Sequence, residues 1–371
     1  MLFMAQYCLA TDILELLFDE IQDAGDAAVG MCGLVCKSWL PSSRRRLFAD
    51  VALRESNANS FLDVVKTSSS PIQSLIQTLR ITIRRPTSGD SFFESAKIEE
   101  LGPFLKAITL FVDVDSPNWI PVLSGTLFPK NLPRLRNLNL SVVSTISMYD
   151  ILSAITPLEA LECLELRGRE FNFFSTSLPE SFRFPTPWST LRLDLDRAEN
   201  FFEILFELAD EDDIAIPTFS SLTIKDAWPQ QRSFLGRYLR SFGRHLHYFC
   251  FDCSRDNMFN EPGALEFCTA LHCLDLRFAT SKVPSALLEI LPHLNSPGLT
   301  TINIIDPDEL TEKSLSRQVN RWKALDQVFS EDRFAGLRSL TFTFASLALG
   351  DKLRQNMPLC AARGILRVND V

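Results

Sequence analysis

Basic charge, histidine and long apolar runs are all scarce in this sequence. Lysine and arginine number 37 against 46 aspartates and glutamates, a formal net charge of −9. That sign does not suit nucleic acid as the main partner, because phosphate binding needs clustered cations. The four histidines leave few candidates for a catalytic triad. No stretch reaches the ~18 apolar residues of a membrane helix. The opening MLFMAQYCLATD carries no basic n-region, so no secretory leader is read there. The nine cysteines are odd in number and irregular in spacing, which fits a reducing compartment better than a disulfide framework. G-x-S-x-G, P-loop and G-x-G-x-x-G motifs are missing as well, so no enzyme class is indicated and no cofactor is implied. These absences predict a protein of the cytosol or nucleus.

What the sequence does contain is a period. The pattern apolar-x-x-apolar-x-apolar recurs as IQTLRI (76–81), LKAITL (105–110), LRNLNL (135–140), LECLEL (161–166) and WSTLRL (188–193). It continues as FSSLTI (219–224), LHYFCF (246–251), LHCLDL (271–276), LTTINI (299–304) and LRSLTF (337–342), with a degenerate RGILRV (363–368). Successive starts lie 25 to 31 residues apart, except for one gap of 38. This is the strand half of a leucine-rich repeat. Between the strands, 200–208, 234–242, 286–294 and 316–332 place apolar residues three and four apart, as helices do. The expected fold is α/β, a right-handed leucine-rich-repeat horseshoe solenoid of about ten to eleven irregular repeats over 51–371. The 38-residue unit is expected to hold the longest helix and to break the regular curve near 305–336.

On such strands, residues between and just after the apolar positions face one surface, and equivalent positions stack into rows. One row reads Arg167, Asp194, Lys225, Asp252, Arg277; its neighbour reads Glu165, Arg192, Thr223, Cys250, Asp275. The charged members are the candidate partner-binding residues. They make either a recognition surface or a ladder of ion pairs that solvates the face, and exposed pairs of this kind contribute only ~0–1 kcal/mol each. A partner would dock across repeats four to eight.

Residues 9–48 do not follow the period. Leu9, Ile13, Leu14, Leu17, Phe18 and Ile21 lie at helical spacing, with Thr11 or Asp12 as N-cap. After Gly25 come Val29, Leu34, Val35, Cys36, Lys37 and Trp39, then Pro41, Arg44–Arg46, Leu47 and Phe48. This segment resembles an F-box, a small three-helix module, most specifically in its Val-Cys-Lys-Ser-Trp run; the usual proline after Leu9 is Ala10. With the repeats behind it, the chain resembles fungal F-box/leucine-rich-repeat proteins, and AARGILRV is similar to their ends. The resemblance implies a tail over 1–8, an F-box over 9–50 and repeats over 51–371. It also implies that Leu9, Ile13, Leu14, Leu17, Val35, Cys36 and Trp39 bind a Skp-family adaptor or pack the helical core. The adaptor would join the chain to a cullin–RING ubiquitin ligase, and the repeats would hold an unidentified target protein. The alternative is a scaffold whose N-terminal helices only cap the solenoid.

Two clusters invite other chemistry. Cys250-x-x-Cys253, with Cys268, Cys273, His245, His247 and His272 nearby, has zinc-type ligands. However, Cys250 and Cys273 fall on strands and the second pair has the wrong gap, so reduced thiols are expected. Asp210–Asp213 reads as a solvated loop, and His245 and His247 as neighbours on one strand face.

Overall fold

The computed structural model describes residues 16–17, 37, 39–67, 75–83, 109–114, 135–142, 146–168, 171–172, 182–195, 199–212, 214–225, 232–252, 262–278, 283–306, 312–344 and 349–370. The chain divides into two compact units, Met1–Ser141 with Ser153–Leu161, and Val142–Leu152 with Glu162–Val371. Among the described residues no helix is long and apolar enough to cross a membrane.

In the first unit a helix, Leu40–Ala49, carries Pro41 in its first turn, where a missing N–H costs nothing. It runs directly into strand β1 (Asp50–Arg54). A helix, Glu55–Thr67, follows, then β2 (Thr78–Ile83), β3 (Thr109–Val114) and β4 (Asn137–Val142). These strands neighbour one another in chain order, and β1–β2 and β2–β3 pair in parallel. Strand β1 is a repeat that the apolar period did not reveal. Val51 and Leu53 pair with Leu79 and Ile81 and are buried with them, so its template is Phe48-Val51-Leu53. The second repeat also shifts. Leu110 and Val112 pair with Leu79 and Ile81, so its template is 107–112 rather than 105–110. A two-residue slip keeps the same side chains on the same face, which is why both alignments fit the pattern.

In the second unit β5 (Ile146–Ser147) and β7 (Phe171–Asn172) form a short parallel pair. The main strands are β6 (Cys163–Gly168), β8 (Thr190–Leu195), β9 (Ser221–Lys225), β10 (Tyr248–Asp252) and β11 (Cys273–Arg277), followed by β12 (Thr301–Asp306), β13 (Ser339–Phe344) and β14 (Leu366–Asp370). They too follow chain order and pair in parallel. The template residues make a continuous apolar spine. Leu164, Leu191, Leu222, Phe249, Leu274, Ile302 and Leu340 have no exposure, and Leu166, Leu193, Ile224, Phe251, Leu276, Ile304 and Phe342 have at most 1%. Each such burial contributes about 1.5–3 kcal/mol, so the spine holds the stack together.

Backbone rungs tie the repeats at one level. The N–H of Ser189 donates to the Glu162 carbonyl, Ser220 to Ser189, His247 to Ser220, His272 to His247, Thr300 to His272 and Arg338 to Thr300, all at 2.8–3.0 Å. The next residue in each case donates to the same carbonyl. Under the spine, Trp188 packs edge-on against Phe201 and Phe219. The Tyr238 hydroxyl donates to the Pro217 carbonyl and accepts from the Phe219 N–H, each at 3.0 Å, so this buried hydroxyl is satisfied from both sides.

The connectors depart from the helical expectation in two places. Between β10 and β11 the described connector is a 3-10 turn, Pro262–Phe267. It approaches Gly243 so closely that an added Cβ would stand 3.0 Å from the Cys268 Sγ and 3.2 Å from the Phe267 backbone. The helix expected over 316–332 is two helices, Glu312–Arg317 and Val319–Phe329. Gln318 separates them at φ −112° and ψ 18°, off the helical values. The longest described helix is instead Glu199–Asp212, with 14 residues.

Candidate functional site

Pleating sends successive strand side chains to opposite faces. With the template residues buried on one face of β6 to β11, the residues between them share the other. The register places Glu165, Arg192, Thr223, Cys250 and Asp275 side by side, strand to strand. Arg167 pairs with Asp194, Asp194 with Lys225, and Asp252 with Arg277. Both rows read from the sequence are therefore real rows, and all eight candidate partner-binding residues lie on this face of the second unit.

The charges are partly paired. Glu165 receives the Arg167 Nε at 2.7 Å and has the Arg192 guanidinium 3.7 Å away. Lys225 Nζ donates to Asp194 at 2.8 Å. Asp275 is fully engaged: it accepts from the Tyr248 hydroxyl at 2.6 Å and the Asn303 amide at 2.7 Å, with the Cys273 thiol at 3.5 Å. The Arg277 Nε is buried and meets no acceptor among the described residues. Arg192 and Arg167 remain about half exposed, at 53% and 51%, so they are reachable by a partner.

Between these side chains lies an open concavity of about 260 Å³, lined by both rows and by Tyr248. Its charged lining is Arg167, Arg192, Lys225 and Arg277 against Glu165 and Asp194. With Asp252 and Asp275 beside it in the same two rows, the face as a whole carries four cations and four anions. Burial, first of all, pushes the Tyr248 hydroxyl upward, and the neighbouring Asp275 adds to the shift. It therefore remains a neutral donor at ordinary pH. The Cys250 thiol is raised by burial and by Asp275, with Arg277 opposing.

Tyr248 and Asn303 were not among the candidates. Asn303 sits in the Glu165 row one repeat beyond the five that were read. Tyr248 belongs to a third row, at the first strand position, with Cys163, Thr190, Ser221 and Cys273. Aligning every strand position would have found both.

The other candidates resolve differently. Of the adaptor-binding residues, Leu9, Ile13, Leu14, Val35 and Cys36 lie outside the described residues. Leu17 is helical and 36% exposed. Trp39 is the half-buried N-cap of Leu40–Ala49, the helix that also carries Arg44–Arg46. The acidic run is not a loop: Asp210, Glu211 and Asp212 end the helix Glu199–Asp212, and Asp210 faces Arg237 at 3.5 Å. His245 closes a 3-10 turn, while the His247 ring packs against His272 at 5.4 Å, so they are not strand neighbours. Cys253 lies outside the described residues; among the described residues no three ligands gather as a metal site would require.

No protein-family model matches the chain, and no curated protein does. Among solved structures, a crystal structure of a protein from Bacteroides fragilis is 12% identical, with 73% of this chain and 71% of that chain covered and a TM-score of 0.33.

Proposed function

We propose that the chain is a leucine-rich-repeat target receptor of a cullin–RING ubiquitin ligase. In this reading, residues 9–50 act as an F-box toward a Skp-family adaptor, and the charged strand face holds the target. The chain has no active site of its own, and ubiquitin transfer belongs to its partners. One structural observation carries the receptor half: two charged rows stand in register above an apolar spine that is fully used in stacking. A sheet face of that kind is rigid and holds its side chains in fixed rows that can specify a partner. The ubiquitin half rests on the sequence resemblance, above all on Val35, Cys36 and Trp39.

Adaptor capture tests the reading. A recombinant Skp-family adaptor should retain the full chain on beads, and Leu17→Ala with Trp39→Ala should abolish retention. Leu17 is exposed enough to be trimmed without opening a core. Circular dichroism of the double variant checks that the fold survives. Full retention of that variant would leave the scaffold reading in place.

A further inference from the structure

We propose that the concavity over β6 to β11 takes an extended acidic segment of a partner protein, its carboxylates seated on Arg192, Arg277 and, in exchange for Asp194, Lys225. This deepens the receptor reading above by naming the chemistry of the target segment.

Charge comes first. The chain as a whole is at −9, yet the lining of this hollow has four cations for two anions. Two more carboxylates stand on the same face and keep their charge: Asp275, held by the neutral donors of Tyr248 and Asn303, and Asp252, in register with Arg277. Glu165 is one carboxylate shared by two guanidiniums, one of them only at 3.7 Å. Arg192 is 53% exposed, so its guanidinium is open to a carboxylate. Guanidinium forks match carboxylates in a bidentate fashion.

Spacing comes second. Neighbouring strands lie ~4.8 Å apart, so β6 to β11 spans about 19 Å. An extended chain covers that in about six residues at ~3.3 Å each, with every second side chain turned toward the sheet. Nucleic acid is disfavoured by the overall negative charge. A phosphoryl group would set about two negative charges against Glu165 and Asp194. Carboxylates spread along a segment meet the cations one at a time.

The test uses the full chain and labelled six-residue peptides, followed by fluorescence anisotropy at low and at raised salt. A peptide of alternating glutamate and serine should bind, weaken with salt, and lose binding when its glutamates become glutamine or lysine. Arg192→Gln with Arg277→Gln should weaken it by about tenfold or more. Asp194→Asn, which releases Lys225, should tighten it severalfold. Equal binding of the glutamine peptide would overturn the proposal, as would indifference to the paired arginine variant. Tighter binding of a phosphoserine peptide, or displacement by inorganic phosphate at equal concentration, would overturn the carboxylate assignment. Adaptor capture is measured on the same proteins. A chain that binds the acidic peptide but never the adaptor refutes the ubiquitin reading alone; one that captures the adaptor but ignores the peptide refutes this inference alone.

Discussion

Cys268 shows what burial does to a single reactive group. Its thiol has no exposure and packs where Gly243 leaves no room for a Cβ. Burial pushes it from 9.0 up to about 12. Between those values the unfolded chain has released the proton while the folded chain keeps it. The stability tied to this thiol is therefore intact below pH 9.0 and declines as pH rises toward 12, by about 1.4 kcal/mol per unit for one proton. Cys268→Ala removes that dependence. Urea unfolding above pH 9.0 should show a shallower decline for the variant than for the parent, and identical slopes would count against the assignment. In the sequence the same residue stands near three other cysteines and three histidines, a conceivable ligand set. Proximity along the chain could not show that one member is sealed in the core. The charged rows, in contrast, were readable residue by residue, because strand parity alone assigns Arg192 and Leu191 to opposite faces.

At the scale of elements, the last described connector hangs on one carboxylate. Asp326 lies on the helix Val319–Phe329 and is 2% exposed. Its two oxygens accept the N–H groups of Leu359 and Cys360, each at 2.8 Å, at the start of the helix Pro358–Ala362. Arg363 then donates to the carbonyls of Phe329 and Phe334. Asp326→Ala should cost about 2–3 kcal/mol, the worth of hydrogen bonds to a buried charge. A lowered urea midpoint and faster hydrogen exchange at Leu359 and Cys360 would register it; unchanged exchange there would contradict it. This clamp was invisible in the sequence, since its partners lie 33 and 34 residues apart and no period links them. Strands fared better, because their template repeats. Strand β1 escapes the period because its first template residue, Phe48, lies in the helix Leu40–Ala49. The break at Gln318 leaves no mark in the sequence, because apolar residues on both sides keep helical spacing.

At the scale of the whole molecule, each unit is a stack in which a repeat meets chiefly its sequence neighbours. Stability in such arrays is a sum of repeat terms and nearest-neighbour terms. Ile302 is completely buried on β12, between β11 and β13. Ile302→Ala should therefore raise hydrogen exchange most in β11 to β13 and least in β6 and β8; a uniform rise along the second unit would show that it unfolds as one block. The apolar spine of the second unit was legible in advance, since it is the period itself; in the first unit the period passes over β1 and sets the β3 template two residues early. Which of the charges opposite the spine are paired was not legible, because distance alone decides which ion pairs close. The backbone rungs have a mechanical side. From Glu162 to Arg338 every rung points the same way, and each carbonyl holds two N–H groups of the next repeat. A pull along the stack loads these rungs in series, so the weakest one yields first and the rest stay shut. Such a body gives way like a zip, tooth after tooth, and each tooth can close again against an intact neighbour.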